Sequence, residues 1–511
     1  MDWKFRPPAL DELVSAFRQE QDRIYVVGGV VRDLLLGRSA GHYDLDLVVE
    51  QDALGSARRV ADRLGWAYYP LDATRDVARL VFVTDTAPPL VCDVAGMRGG
   101  SIEADLLARD FTVNAMALAY NRSGPPTLID VTGGEADLRQ KRVRQVTPMA
   151  LAEDSLRILR AVRLAVQLGF QIDSRTQDQM ERLAGSLRFA GAERVRDELW
   201  KILATGDPAQ GIDLLHDHGI LVYVLPEVAT TTGVTQSYPH YQDVYRHTLA
   251  AVRHAFALRQ WILGQTPAQS PALAAIETAL GPWRFRLRHH LATSLAVGRT
   301  HGDWLIWNAL LHDIGKPYTR SEEADDERPG ETRVRFLGHE ERGAALANDR
   351  LLALRFSRHE IELATAVIQG HMRPHLLHAS FIDQPISHRA AYRFFRDIGG
   401  KPFGNRAGID TVLLALADYQ AIYPASPPPG WAAYLDHAGE LLAFAFDPQR
   451  APAALKPLLD GHALMHYFDL QPGPRLGDLL EYLREAQAAG DIATTGDALE
   501  LATNWLARTQ H

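Results

Sequence analysis

At 511 residues the chain exceeds one ordinary domain, and 46% hydrophobic against 23% charged residues excludes a disordered one. The formal net charge of −9 argues against nucleic-acid binding over the whole surface but leaves a local basic stripe open, because binding follows the field near the site. Cys92 is the only cysteine, which excludes an intrachain disulfide and a thiolate zinc centre and suits a reducing cytosol.

In chain order, MDWKFRPPALDELVSAF (1–17) is charged, lacks a long apolar core and does not read as a signal peptide. No apolar run is long enough to span a bilayer, so a cytoplasmic protein with no membrane partner is expected. RIYVVGG (23–29) reads as a strand ending in a turn, and YDLDLVV (43–49) as a second strand. ARLVFVTD (78–85), PLVCDVAG (89–96) and VNAMALAY (113–120) read as three more. From about Glu153 onward helical spacing takes over, as in SLRILRAVRLAVQLGF (155–170) and HEIELATAVIQGH (359–371). The fold class is α+β, a mixed-sheet head followed by an all-α remainder. Linkers are expected at 121–126, 264–271, 320–332 and 423–431, the acidic third one as a mobile loop.

The sharpest local feature is the carboxylate pair in the second strand. Side chains alternate along a strand, so Asp44 and Asp46 share one face while Leu45 and Leu47 take the other. Such a pair repels itself unless a cation intervenes, and Mg2+ prefers carboxylates together with substrate phosphates. Asp93 on a neighbouring strand offers a third oxygen, and three carboxylates suit two metals ~3.5–4 Å apart for in-line phosphoryl transfer. Gly28 and Gly29 end the first strand and open a helix at Val30–Leu36, whose free N–H groups suit a triphosphate. Arg32, one turn in, is placed to clamp an oxygen.

GGVVRDLLLG followed by DLDLV resembles the active-site signature of the class II tRNA nucleotidyltransferase and bacterial poly(A) polymerase family. Three further motifs resemble that family in order: ARDFTVNA (108–115), DVTGGEADL (130–138) and EDSLRILRAVRLA (153–165). The resemblance covers about residues 22–200, with Ala108 departing where the family more often has Arg. It implies a nucleotidyltransferase-type head with Asp44, Asp46 and Asp93 as catalytic acids and Mg2+ on the first two. It further implies nucleotide contacts from Gly28, Gly29, Arg32, Arg109, Asp110 and Asn114, and base selection by Asp154 and Arg157 with Arg160 and Arg163 nearby. Asp154 and Arg157, three apart on an expected helix, would share a face. A carboxylate acceptor beside a guanidinium donor matches the Watson–Crick edges of cytosine and adenine and mismatches uracil and guanine, and such polar sites discriminate by ~10⁴–10⁵. The amphipathic alternative keeps Leu156, Leu159, Val162 and Val166 as the core stripe and the arginines solvated.

The implied partners are a tRNA 3′ end, CTP and ATP. Full CCA addition and CC-only addition both stand, the latter because the connection DVAGMRGGSIEADLLAR (93–109) is short where full CCA-adding relatives carry a longer flexible loop. The rivals are a poly(A) polymerase, a hydrolase working mainly through a second metal site, and an RNA-binding scaffold with no CTP or ATP turnover. Arg139, Lys141, Arg142 and Arg144 form a basic cluster, either an RNA-backbone track or a solvated face.

That second site rests on WNALLHDIGKP (307–317), an apolar helix ending in His312-Asp313, both capable of ligating a metal. With His247, His339, His371 and Asp418 the order resembles HD-domain phosphohydrolases. The resemblance implies a helical bundle around one or two divalent ions such as Mn2+, Ni2+ or Co2+, active on terminal or cyclic phosphates or else degenerate. The pair His216-Asp217 lacks the Ile-Gly-Lys continuation and reads as structural. The resulting division is a head at 1–148, a helical neck at 149–235, an HD domain at 236–424 and a helical tail at 425–511.

Overall fold

The computed structural model describes residues 8–20, 23–38, 44–83, 89–121, 125–325, 332–423, 426–447 and 456–508. Two compact units emerge, Met1–Gly206 with Asp217–Tyr223, and Asp207–His216 with Val224–His511.

The first unit opens on a seven-stranded sheet. Its strands are β1 (Arg23–Val27), β2 (Asp44–Val49), β3 (Ala67–Asp72), β4 (Val77–Phe82), β5 (Leu90–Gly96), β6 (Ala117–Asn121) and β7 (Thr127–Ile129). Their order is β3-β4-β5-β2-β1-β6-β7, with β2 and β5 parallel and the other pairs antiparallel. The five expected strands are present. The two that were not expected lie at the sheet's edges: β3 carries Pro70 and is mostly exposed, and β7 is three residues long, so neither shows the apolar alternation of a half-buried strand.

Register decides where the acids go. Asp46 pairs with Val27 across the antiparallel ladder and with Asp93 across the parallel one. Leu45 and Leu47 are each 1% exposed on one face, whereas Asp46 is exposed on the other. Towards the far end of that second face, Tyr25, Val27 and Val48 pack with Ile102 and Leu106. Burying each such side chain stabilises the fold by about 1.5–3 kcal/mol, so the Ile102–Leu107 helix is held firmly beside the acid.

After the sheet, the Leu156–Leu168 helix packs on the Ala192–Leu203 helix. Leu156, Leu159, Val162 and Val166 are buried as the amphipathic pattern requires.

The second unit is mainly helical. The Arg406–Ile422 helix is buried nearly all round, which marks a core helix, and the Val244–Leu263 and His301–Leu311 helices pack against it. Ser321–Ala324 and Thr332–Arg335 pair as antiparallel strands, so the flanks of the expected acidic loop are an ordered hairpin, while 326–331 lies outside the described residues. Near the C-terminus, the Gly461–Phe468, Pro474–Ala489 and Thr495–Arg508 helices share a small apolar core around Leu464, Leu479 and Leu483. No helix among the described residues is long and apolar enough to cross a membrane.

Candidate active site and metal cluster

Where β1 ends, Gly28 takes φ 78° and ψ −143° before the Gly29–Leu35 helix begins. A Cβ at Gly28 would sit 3.0 Å from Asp46 Oδ2 and 3.4 Å from Arg109 Nη1, so glycine is what lets the backbone, the acid and the guanidinium converge. They open onto a cleft of about 610 Å³. Eight cationic side chains line it, Arg32, Arg38, Arg98, Arg109, Arg157, Arg160, Arg163 and Lys201, against three acids, Asp33, Asp46 and Asp110. In a chain of net charge −9 this is a concentrated positive field, suited to a polyanion.

Each cation is aimed by a partner. Arg32, 7% exposed, donates to Asn114 Oδ1 at 2.7 Å and forks onto Asp33 at 2.8 and 2.9 Å. Arg109 donates twice to Asp105 Oδ2, at 3.1 and 3.0 Å, while Arg98 Nε donates to Asp105 Oδ1 at 2.9 Å. Burial pushes the Asp105 carboxyl up, but Arg109 and Arg98 outweigh it and hold it below the usual carboxylate range. Asp110 Oδ2 accepts from Arg160 Nη1 at 2.8 Å and Oδ1 from the Phe111 amide at 2.8 Å. Burial opposes this charge too, and Arg160 prevails, so Asp110 is also depressed.

Gly28, Gly29, Arg32, Arg109, Asp110, Asn114, Arg157, Arg160 and Arg163 thus meet at one cleft together with Asp46. The side chain of Asp44 lies outside the described atoms; its backbone pairs with Val91. Asp93 neighbours Asp46 in register but is forked by Arg79 at 2.7 and 2.9 Å.

The expected helix face shared by Asp154 and Arg157 is corrected. Asp154 has φ −147° at the end of the Ala150–Glu153 turn, and the next helix begins only at Leu156. Its Oδ1 accepts from the Leu156 amide at 3.2 Å and its Oδ2 from Arg194 at 2.7 Å. Local hydrogen bonding to a nearby amide competes with helix continuation, as is usual for Asp. Arg157 lines the cleft and donates to the Ala150 and Ala108 carbonyls at 2.9 and 3.0 Å.

In the basic cluster, Arg139 pairs with Glu135, Arg142 with Asp173 and Arg144 with Asp137, so three of its four charges already have local partners. Residues the sequence reading missed include Arg98, Asp105, Glu198 and Lys201; the Asp105/Arg109 spacing of four was the one available signal.

The second unit gathers His247, His312, Asp313, His339, His371 and Asp418, all buried. Asp313 divides them. Its Oδ2 lies 3.5 Å from His247 Nε2 and 3.2 Å from His312 Nε2; its Oδ1 lies 3.5 Å from His339 Nε2 and 3.8 Å from His371 Nε2. Asp418 Oδ1 stands 2.9 Å from His247 Nε2. His312, His339 and His371 each give Nδ1–H to the carbonyl three residues before, Ala309, Phe336 and Ile368, at 2.9, 2.7 and 2.6 Å. That pins each tautomer and leaves Nε2 as an inward lone pair, the arrangement ligand histidines need. His247 Nε2, His312 Nε2 and Asp313 Oδ2 have no hydrogen bond of good geometry among the described residues. Burial disfavours a charge on His312, yet Asp313 and Asp418 push it up to about 10, so two buried carboxylates call for positive charge here. The donor set therefore fits a divalent cation.

Lys316, His375 and His240, whose ring meets that of His247 edge-on with centroids 4.9 Å apart, also join this cluster and were not expected. Lys316 Nζ is 2.7 Å from Asp313 Oδ2, and His375 Nε2 is 3.0 Å from Asp418 Oδ2. His216, by contrast, stacks on Tyr245 with centroids 4.6 Å apart and meets Thr232 at 3.2 Å. A separate buried triad, His290–Asp410–His301, is joined at 2.6 and 2.7 Å, which are hydrogen-bond separations that tie the His301–Leu311 helix to the Arg406–Ile422 helix.

Three protein families match in order: "Poly A polymerase head domain" over residues 24–144, "Probable RNA and SrmB-binding site of polymerase A" over 169–231, and "HD domain" over 286–419. An A-adding tRNA nucleotidyltransferase of Deinococcus radiodurans is 32% identical over 493 residues, 95% of this chain and 96% of its own. A CC-adding tRNA nucleotidyltransferase of Thermus thermophilus is 32% identical over 94% of this chain and 93% of its own. Among solved structures, the Thermotoga maritima CCA-adding enzyme complexed with tRNA has a similar fold, with a TM-score of 0.57 at 21% identity over 98% of this chain and 97% of its own.

Proposed function

The chain belongs to the tRNA nucleotidyltransferase family built on a poly(A) polymerase head, and from that membership we propose that it adds part of the CCA end to tRNA from CTP or ATP. The observation that carries the transfer reaction is the cleft itself, where Asp46 opens beside Gly28 among eight cations. Asp46, with Asp44 on the same strand, would hold Mg2+, which supplies charge neutralisation to the triphosphate and acidity to the attacking hydroxyl. Arg32 and Arg109 clamp the triphosphate. The RNA 3′ oxygen bonds to the α-phosphorus, the α–β phosphoanhydride bond breaks, and pyrophosphate leaves.

Two candidate residues are engaged elsewhere, and the cost of freeing them is small. Asp154–Arg194 and Asp93–Arg79 are solvent-accessible ion pairs, of a kind worth roughly 0–1 kcal/mol. Exchange of Arg194 for a base, or of Arg79 for a metal, is therefore affordable to the site, and both acids keep their proposed roles.

Partial addition is favoured by Asp105. It is 2% exposed and anchors Arg98 and Arg109 at the two ends of the short connection. A wall fixed in this way supports one nucleotide geometry better than a loop that must re-form for the next. The names of relatives spanning over nine-tenths of this chain, A-adding and CC-adding, agree with that reading.

A second reading concerns the HD cluster. Asp313 presents one oxygen to each of two imidazole pairs, which supports a two-metal phosphohydrolase with Mn2+, Ni2+ or Co2+.

The deciding assay supplies labelled CTP, ATP or both to tRNA ending before CCA, after the first C, or after CC. Either C addition that halts at CC, or a single A added only to tRNA already ending in CC, is expected. Addition of the whole triplet to tRNA ending before CCA would refute partial addition, and long adenylate tails on unrelated RNAs would indicate a poly(A) polymerase instead. Asp46→Asn should abolish addition while phosphatase activity persists, and His312→Ala should do the reverse with loss of bound metal. A phosphatase rate unchanged in His312→Ala would remove the hydrolase.

A further inference from the structure

Glu198 sits on the Ala192–Leu203 helix, 5% exposed, behind the cleft wall and not part of its lining. Its Oε2 accepts from Arg163 Nε at 2.9 Å, and its Oε1 lies 3.8 Å from Arg160 Nε and 3.6 Å from Lys201 Nζ. Those three cations all line the cleft. Arg160 and Arg163 are three apart on the Leu156–Leu168 helix, so they share a face and would repel one another without a counter-charge between them. Arg160 is shared further, since its Nη1 donates to Asp110. Its Nε is buried and has no hydrogen bond of good geometry among the described residues, so charge rather than a hydrogen bond sets that end of the guanidinium.

We propose that Glu198 is a positioning residue for nucleotide choice, a buried counter-ion that holds Arg160, Arg163 and Lys201 as one rigid wall against which the incoming base and the RNA end are seated. The inference rests on the nucleotidyltransferase reading above. Discrimination between bases by polar groups depends on donors that stay put when the wrong edge arrives, because only then is the mismatch left unpaired. A wall whose arginines swing free accommodates uracil or guanine by turning a donor away.

Glu198→Gln keeps the side chain's shape and an acceptor for Arg163 but removes the charge that holds Arg160 and Lys201. Initial rates for all four nucleotides on tRNA lacking its 3′ end should show the preferred nucleotide's advantage over UTP reduced at least about tenfold. Most of the change should appear in the KM of the preferred nucleotide, with the melting temperature nearly unchanged. Arg163→Ala should relax the choice in the same direction, and the double variant should be no worse than the worse single one. An unchanged selectivity ratio, or an equal loss for all four nucleotides with a lowered melting temperature, would overturn the proposal and leave Glu198 a stabilising residue only. If the wild-type chain incorporates no nucleotide, the transferase reading is what has failed. Equilibrium binding of CTP, ATP, UTP and GTP to the wild type and to Glu198→Gln then decides the positioning claim, with the same flattening of preference expected and equal preference in both overturning it.

Discussion

Gly28 shows how much one residue's lack of a side chain can decide. Its φ of 78° with ψ −143° lies in a region that is essentially glycine's alone and costs an L-residue about 1–3 kcal/mol, and an added methyl would press on Asp46 Oδ2 at 3.0 Å. Gly28→Ala is expected to lower stability by that amount, seen as a reduced urea midpoint. Nucleotide addition should fall by two orders of magnitude or more, because the acid moves with the clash. A variant that kept its full rate would show that Asp46 needs no such fixed position. Gly28, Asp46 and Arg32 were legible because the strand–glycine–helix–strand spacing is local. Glu198 was not, since it faces arginines of another helix that only packing brings to it, and Asp105 showed no more than its spacing of four from Arg109.

Among the elements, the turn after the His301–Leu311 helix shows how closely two segments must approach to form the candidate metal cluster. A Cβ at Gly315 would lie 2.0 Å from the His339 carbonyl oxygen and 2.6 Å from the Gly343 amide. Backbone on both sides leaves nothing to yield, and overpacking of this kind costs about 1–3 kcal/mol or more. Gly315→Ala should therefore lower the unfolding midpoint of the second unit and cut any uptake of divalent cation there, while CTP binding by the head is retained; undiminished metal uptake would count against the close approach. Periodicity found the Leu156–Leu168 and Arg358–Gly370 helices because each buries a continuous stripe. It failed at β3, whose exposed edge carries no alternation, while the helix that the resemblance implied through Asp154 starts only at Leu156, whose amide bonds the Asp154 carboxylate.

At the scale of the whole molecule, buried titrating groups set the pH range in which the chain is stable. Burial lowers His254 to about 4, so between about pH 6.5 and 4 the unfolded chain binds a proton that the folded one refuses, and stability falls as pH falls. Asp105, Asp110 and Glu360 are depressed when folded, the last by burial overcome by Arg299 and Ser357; their contribution is present above the ordinary carboxylate pKa and is lost as pH falls through their folded values. Urea unfolding from pH 7 to 3 should show both losses, the first with a slope of up to about 1.4 kcal/mol per pH unit from His254. His254→Gln should lessen the slope of that first part and leave the carboxylate part unchanged; an unaltered slope would contradict it. The sequence by itself determined the α+β class, the two chemistry-bearing motif sets and their order along the chain, because these depend on period and spacing within single elements. Only the tertiary structure decided that Asp93 and Asp154 are met by arginines, that Asp313 is shared between two imidazole pairs, and that Glu198 holds the cleft's cations. Those outcomes turn on distances of a few ångströms between residues far apart in the chain, and such distances exist only once the elements have packed.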